Sequence, residues 1–198
     1  MYRIDRNNYH LKPKFSNIQT PLEVSEFIFN LLSPYFPDRS QIILDPGCGA
    51  GNLSKPWKKA GYKTLGIDIV PLLPPNLSQN FLTWDGWDFF GYHVHPQLVL
   101  CNPPFNGMKP KLAPEIWLDK IIELFGPKMP IVLFAPIGLR ICNSLKGKRY
   151  QKFITGKYPS ISSIITLPRT IFPGVEFHAE ILIFNLPKLQ PHYFYHAI

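Results

Sequence analysis

The sequence predicts an α/β fold, in which a mostly parallel sheet carries helices on both faces. Short apolar runs of strand length alternate with longer stretches whose apolar residues recur at helical spacing. A turn with three glycines follows the first apolar run, and the tetrapeptide Asn102-Pro103-Pro104-Phe105 follows a later one. Alternating strands and helices favour parallel strands, because each helix carries the chain back across the sheet.

The predicted elements follow the chain in this order. Strands are expected at 41–45, 63–69, 80–84, 97–101, 131–135, 160–167 and 179–186. Helices are expected at 21–33, 54–60 and 112–125, with a basic helix within 143–156. The first helix has a start pattern, since Thr20 fits the N-cap, Pro21 suits the first helical position and Glu23 completes a capping box.

The first strand leads into a turn that reads Asp45-Pro46-Gly47-Cys48-Gly49-Ala50-Gly51-Asn52. Glycines let a ligand approach the backbone closely, and the helix that follows offers free N–H groups. A dinucleotide fingerprint requires G-x-G-x-x-G, whereas here the third glycine comes one residue early and Asn52 takes the last place. Asp45 is badly placed for a pyrophosphate but suits a ligand with a positive amino group, so a nicotinamide cofactor is disfavoured.

The second predicted strand brings an acid to its end. Asp68 lies 17 residues beyond Gly51. In doubly wound sheets an acid at this point binds the hydroxyls of a ribose. The sequence therefore predicts that Asp68 contacts a ribose.

The tetrapeptide 102–105 combines acceptors with an aromatic ring. Its two prolines fix the backbone and remove two N–H donors, so the neighbouring carbonyls have no ladder to join. The amide of Asn102 adds another carbonyl oxygen. A cluster of acceptors beside Phe105 suits a planar amine, such as the exocyclic amino group of a nucleobase.

Together, the segments 45–52 (D-P-G-C-G-A-G-N), 66–68 (G-I-D) and 102–105 (N-P-P-F) resemble the motifs of class I S-adenosylmethionine-dependent methyltransferases. More narrowly, the chain resembles enzymes that methylate adenine N6, such as DNA adenine methyltransferases of restriction-modification, phage or orphan systems. The resemblance covers roughly residues 15–187. It implies a Rossmann-like, seven-stranded, mostly parallel sheet with an antiparallel last strand, and S-adenosylmethionine as the cofactor.

The resemblance also implies roles for individual residues. Catalysis would depend on Asn102, Pro103, Pro104 and Phe105. The cofactor would contact Phe15, Thr20, Asp45, Pro46, Gly47, Gly49, Asn52, Asp68, Ile69, Asp88, Phe89 and Asn102. Asp88-Phe89 is the closer match to the pair that contacts the cofactor adenine in the family, and Asp85 competes with Asp88 for that role.

The charge distribution points to a polyanionic partner. The formal net charge is +8, and the segment 140–157 contains six cations and no acid. We expect nucleic-acid contacts from Lys109, Lys111, Arg140, Lys146, Lys148, Arg149, Lys152 and, on the target base, Phe172. Contacts to phosphate give affinity and salt dependence but no sequence choice.

The 198 residues fit a basic arm at 1–14 and a single catalytic domain at 15–198, without a separate target-recognition domain. DNA enzymes of the family usually carry such a domain, so this chain is expected either to be weakly specific or to depend on a specificity subunit or a homodimer. There is no bilayer-spanning apolar stretch and no signal-peptide core. Three widely spaced cysteines provide neither a zinc site nor an even disulfide set, so we expect a cytoplasmic protein without a metal.

Three alternatives to a DNA substrate stay open at this level. The substrate class could be RNA, whose shape would supply selection. The same motif serves methylation of protein glutamine amides, although those enzymes more often carry tyrosine at the position of Phe105. The third alternative is a catalytically silent subunit that binds nucleic acid.

Overall fold

A computed structural model describes residues 18–70, 76–88, 90–105, 112–141, 144–173 and 177–197. The helices in these ranges are α1 (Leu22–Leu32), α2 (Lys55–Lys59), α3 (Ala113–Phe125) and α4 (Lys148–Ile154). The strands are β1 (Ile42–Pro46), β2 (Lys63–Asp68), β3 (Asn76–Ser78), β4 (Pro96–Cys101), β5 (Ile131–Pro136), β6 (Ile161–Thr166), β7 (Ala179–Phe184) and β8 (His192–Phe194). Single 3-10 turns occur at Ser33–Tyr35, Phe81–Thr83 and Ile137–Leu139.

The strands form one sheet in the order β3-β2-β1-β4-β5-β7-β6-β8. Strand β7 runs antiparallel to both of its neighbours, and the other paired strands are parallel. The predicted fold class is therefore confirmed, including an antiparallel strand near the end of the chain. The expected number of seven strands is one too few, because β8 adds three residues beside β6.

One predicted strand is wrong. Residues 80–84 were expected to form the third strand, but Phe81–Thr83 is a 3-10 turn. Asn80 caps this turn, because its side chain accepts from the backbone N–H of Leu82. The third strand is β3, four residues earlier, and it pairs with β2 from Gly66 to Asp68.

Buried side chains cover both faces of the sheet, as alternation along β5 shows. Val132 and Phe134 pack in a cluster that includes Val24 and Ile28 of α1. The intervening residue, Leu133, packs on the opposite face in a cluster that also holds the α3 residues Trp117, Leu118 and Ile121. Each fully buried side chain of this size contributes about 1.5–3 kcal/mol to folding. The helices therefore lie on opposite faces, and they leave the strand ends free for a site.

The parallel strands end at a common edge of the sheet. β1, β2, β3 and β4 are neighbours in parallel, so the segments after them leave from the same edge. Ligands of open α/β sheets bind at that edge. Within the ranges that the structure describes, no helix has the length and apolar character needed to cross a bilayer.

Candidate functional site

The glycine-rich turn after β1 is held against the end of β2. Gly47, Gly49 and Gly51 have φ angles of +70°, +50° and +75°, a backbone region that glycine adopts without the strain other residues suffer. The N–H groups of Gly47 and Cys48 both donate to the carbonyl of Ile67, at 2.6 and 3.2 Å. A Cβ on Gly47 would lie 2.9 Å from the Trp117 ring. The turn is therefore fixed by backbone bonds on one side and by an indole on the other.

Asp45 is a buried acid at the start of this turn. Only 1% of its surface is exposed. Burial raises the pKa of its carboxyl to about 7, and the nearby charge of Asp68 adds to the rise, while hydrogen bonds from Ser54 oppose it. Its Oδ2 atom is buried and has no hydrogen-bond partner among the described residues. A positive ligand group beside Oδ2 would favour the ionised form.

Asp68 ends β2 and faces the same turn. Its Oδ2 accepts from the N–H of Gly49 at 2.8 Å, and its Oδ1 accepts from the N–H of Val70 at 3.0 Å. A carboxylate has about four acceptor sites, so two remain for the hydroxyls of a ligand. The next residue, Ile69, is 44% exposed, and its side chain is free to contact such a ligand.

Gln19 and Thr20 form a strap, the two-residue segment that crosses the turn just before α1. The Oε1 atom of Gln19 accepts from the N–H of Ala50 at 3.0 Å, and the carbonyl of Thr20 accepts from Asn52 Nδ2 at 3.0 Å. The Thr20 hydroxyl oxygen accepts from Asn102 Nδ2 at 2.9 Å. The predicted capping role of Thr20 is wrong, because Pro21 holds the N-cap position and no side chain caps the helix. The Thr20 side chain instead joins the turn to the end of β4.

The tetrapeptide 102–105 follows β4 directly, as predicted. Pro103 is buried, whereas Asn102, Pro104 and Phe105 are partly exposed. The Phe105 ring packs against Phe177 with ring centroids 4.7 Å apart. Thr20 thus brings Asn102 to the glycine turn, although Asn102 and Asn52 are 50 residues apart in the sequence.

Phe172 does not fit its predicted role on a target base. It is only 2% exposed, and its ring lies edge-on to Phe134 and Phe105, with centroids 6.2 and 6.5 Å away. The side chain anchors the loop between β6 and β7 in the core. At the site, Phe172 supports the Phe105 ring from the side of the core.

The two candidate acids for the cofactor adenine both accept backbone N–H groups of their own loop. Asp88 Oδ1 accepts from the N–H groups of Phe90 and Tyr92, both at 2.9 Å, and Asp85 Oδ1 accepts from the N–H of Trp87 at 3.3 Å. Gln79 follows β3 directly, and its N–H donates to the Asp68 carbonyl at 2.9 Å.

Three predicted phosphate ligands form ion pairs within the protein. Arg140 Nε donates to both carboxylate oxygens of Glu180, at 2.8 and 2.9 Å. Arg149 Nε lies 2.9 Å from Glu115 Oε2, and Lys152 Nζ lies 2.6 Å from Asp119 Oδ1. Glu115 and Glu180 are 4% and 2% exposed, so their partners cannot leave at low cost.

These ion pairs correct the prediction for Arg140, Arg149 and Lys152. Burial raises the pKa of Glu180, and the charge and hydrogen bonds of Arg140 act against that rise. Lys146, Lys148 and Lys157 are exposed and form no ion pair within the described ranges. Four further predicted residues, Phe15, Phe89, Lys109 and Lys111, lie outside the described residues, as does the arm at 1–14.

Neither a protein-family model nor a curated protein sequence matches the chain. Solved structures do resemble it. A protein from Listeria monocytogenes, provisionally assigned as a class I S-adenosylmethionine-dependent methyltransferase, has a TM-score of 0.61 at 18% identity, and the match covers 91% of this chain and 66% of that one. The type IIG restriction endonuclease BpuSI also has a TM-score of 0.61, at 16% identity over 88% of this chain and 26% of its own.

A third neighbour is a protein from Pyrococcus horikoshii that is provisionally assigned as an RNA methyltransferase. Its TM-score is 0.55 at 14% identity, and the match covers 84% of this chain and 82% of that one. The chain therefore has the Rossmann-like fold of class I methyltransferases, and it spans less than two thirds of the first two structures.

Proposed function

We propose that this protein transfers a methyl group from S-adenosylmethionine to the exocyclic N6 amine of adenine in nucleic acid, and that the nucleic acid is DNA. The observation that carries the proposal is the position of Asn102-Pro103-Pro104-Phe105. This tetrapeptide leaves β4 beside the glycine turn and is bonded to the strap that crosses the turn. A methyl donor in the turn and an amine at Asn102 would therefore meet at one edge of the sheet.

The residues around the turn fit S-adenosylmethionine. Asp45 would offer to a positive amino group its buried Oδ2, which has no partner in the described part of the chain, and Asp68 would accept from ribose hydroxyls. The adenine of the cofactor would contact Asp88, with Asp85 as the competing acid. When bound, S-adenosylmethionine supplies a methyl group on a positive sulfur, and this group passes to the amine nitrogen as the S–C bond breaks.

The acceptor side binds a poor nucleophile, because the lone pair of adenine N6 is delocalised into the ring. Asn102 Oδ1 and the Pro103 carbonyl would accept the two amine hydrogens and favour a pyramidal nitrogen. Acceptors that are fixed in advance stabilise the positive charge that develops on that nitrogen. Phe105, supported by Phe172 and Phe177, would stack on the base, a contact worth about 1–3 kcal/mol. The surplus proton then leaves to water.

A nucleic-acid substrate is supported by the exposed cations and by two neighbours. Lys146 and Lys148 are exposed at the start of α4 and suit phosphate contacts. BpuSI is a restriction endonuclease, an enzyme class that acts on DNA, whereas the Pyrococcus horikoshii protein is assigned to RNA. The acceptor base of a duplex would have to be flipped out, at a cost of a few kcal/mol.

The test uses methyl-labelled S-adenosylmethionine with unmethylated DNA, total RNA and a protein extract in separate reactions. Mass spectrometry of the digests should identify N6-methyldeoxyadenosine. Asn102→Ala should reduce its formation by about 10²-fold or more, because removal of one preorganised group costs that much. A thermal shift with S-adenosylmethionine should show that the variant is folded and still binds the cofactor.

Other results would change the proposed substrate or contradict the proposal. Label in RNA alone would move the substrate to RNA, and label in glutamine would move the reaction to protein amides. A wild-type protein that shows no thermal shift at millimolar S-adenosylmethionine would contradict the enzyme proposal altogether. If the protein binds the cofactor but methylates none of the three polymers, it does not act alone. A partner subunit would then be required.

A further inference from the structure

We propose that Thr20 is a positioning residue that holds the Asn102 amide in place at the acceptor site. The inference rests on the proposed function. The Asn102 Nδ2 atom donates to the Thr20 hydroxyl oxygen at 2.9 Å. Thr20 is only 5% exposed, so water competes little for this bond. The bond spans 82 residues, and it is the link between the strap and the acceptor site.

The two ends of an asparagine amide have nearly the same shape but opposite hydrogen-bonding character. With Nδ2 directed to Thr20, the Oδ1 atom is left to accept a hydrogen from the substrate amine. A flipped amide would present N–H groups to the N–H groups of the amine, and no hydrogen bond would form. The Thr20 hydroxyl can both accept and donate, so what it fixes is the position of the amide, and the acceptor cluster works when Oδ1 faces the amine.

Thr20 can hold the amide because its own backbone is held on both sides. Its carbonyl accepts from Asn52 Nδ2 at 3.0 Å, and the neighbouring Gln19 accepts from the N–H of Ala50 at 3.0 Å. Pro21 follows, with φ of −59°, and restricts the backbone of the residue before it. The hydroxyl thus stands at a fixed point between the glycine turn and β4.

This arrangement couples the two halves of the site. The rigid glycine turn holds Asn52, Asn52 holds the Thr20 carbonyl, and the Thr20 hydroxyl holds the Asn102 amide. Groups that must lie within a fraction of an ångström of a productive geometry depend on such support. Loss of the hydroxyl should therefore reduce turnover more than it reduces the binding of either substrate.

The experiment compares Thr20→Val, which keeps the shape without the hydroxyl, with Thr20→Ser, which keeps the hydroxyl. Ser25→Ala is the matched control, because Ser25 is also buried and its hydroxyl bonds to the Pro21 carbonyl at 3.2 Å. Thr20→Val should lower kcat by about tenfold or more, since misplaced catalytic groups cost this much. The KM for DNA and the affinity for S-adenosylmethionine should stay within about threefold. Thr20→Ser should restore most of kcat, and Ser25→Ala should leave it unchanged.

A second test measures hydrogen exchange by spectroscopy, and its first result comes from the wild-type protein alone. One side-chain amide proton of Asn102 should exchange slowly with solvent and lose that protection in Thr20→Val. An unprotected amide in the wild type would overturn the proposal even if the valine variant fails to fold. So would unchanged kcat in Thr20→Val, or a fall in cofactor affinity as large as the fall in turnover, which would make Thr20 a cofactor contact.

Failure of the positioning role is distinct from failure of the proposed function. If the wild type transfers no methyl group to DNA or RNA, the proposed function fails whatever Thr20 does. If the wild type is active and Asn102→Ala is not, while Thr20→Val matches the wild type, the reaction stands and the positioning role alone is lost.

Discussion

The glycine turn with its strap and the basic segment 140–157 are both rich in polar groups, yet they use them in opposite ways. At the turn, Asp45 keeps a buried carboxyl oxygen that has no hydrogen-bond partner among the described residues, and Asp68 keeps acceptor sites that those residues do not use. In the basic segment, Arg140, Arg149 and Lys152 are matched by carboxylates from β7 and α3. The first region has polar groups to offer a ligand, whereas half of the six cations in the second are engaged in holding the fold together.

The difference shows what a local sequence pattern can and cannot specify. The turn depends on backbone conformations that glycine and proline impose where they stand, so its chemistry follows from neighbouring residues. A cation has no fixed role until its partners are known, and here they come from other elements. A count of cations along the chain therefore overestimates how many of them are available to bind phosphate.

The largest expected effect comes from adding one methyl group to a glycine in each region. Gly47→Ala should lower the free energy of unfolding by about 3 kcal/mol, through a positive φ together with a clash against Trp117. Gly156, after α4, also has a positive φ, but a Cβ there would meet nothing within 4 Å. Gly156→Ala should cost only about 1 kcal/mol, as measured by denaturant unfolding.

The same pair tests whether the turn is tied to ligand binding. Gly47→Ala should also abolish the thermal shift with S-adenosylmethionine, whereas Gly156→Ala should retain it. Equal losses of stability in the two variants would mean that the Trp117 ring gives way freely, and the rigidity inferred for the turn would be wrong.

A second comparison uses two adjacent cations in α4. Arg149→Met leaves the buried Glu115 without its guanidinium partner, with the Tyr158 hydroxyl at 3.5 Å and Lys152 Nζ at 3.8 Å, and should cost about 2 kcal/mol of stability. Lys148 is exposed, so Lys148→Met should change stability by less than about 0.5 kcal/mol. In nucleic-acid binding the order should reverse, with Lys148→Met reducing the slope of log affinity against log salt by about 1.

Fluorescence titrations with a short duplex at several salt concentrations would measure that slope. The distinction between structural and exposed cations would be lost if Arg149→Met were as stable as the wild type. It would be lost equally if Lys148→Met left the salt slope unchanged.

Most of the fold was predictable from the sequence because its strands are apolar runs with clear ends. The predicted bounds of β1, β2, β4 and β5 agree with the structure to within a residue. β3 and β8 were not predictable, since three residues are too few to show a period. The apolar run that ends in Phe81–Thr83 was assigned to the wrong element for the same reason.

The site was predictable only where its chemistry is local. Asp45, the glycines, Asp68 and 102–105 are read from short motifs, and the structure brings them to one edge of the sheet. The bond between Thr20 and Asn102 was missed because the two residues lie 82 residues apart. The ion pairs of Arg140, Arg149 and Lys152 span 33 to 40 residues, and no pattern along a chain records such contacts.

The smallest effect concerns pH and tests the unpaired oxygen of Asp45. Burial raises the pKa of this carboxyl to about 7, so without ligand it carries a proton below that pH. A cationic amino group favours the ionised form, and binding at pH 6 should therefore release close to one proton. Affinity for S-adenosylmethionine should rise by about eightfold from pH 6 to pH 7.5, as expected for one group with this pKa.

The sign of the effect on stability without ligand is opposite. The unfolded chain releases this proton near pH 4 and the folded chain near 7, so the folded state binds more protons between these values. Stability should therefore fall as pH rises through that window. Calorimetry in buffers of different ionisation enthalpy counts the released protons, and Asp45→Asn is the control that should release none. Absence of proton release at pH 6 in the wild type would mean that Asp45 is already ionised and paired. The turn would then resemble the basic segment, and the comparison between the two regions would no longer hold.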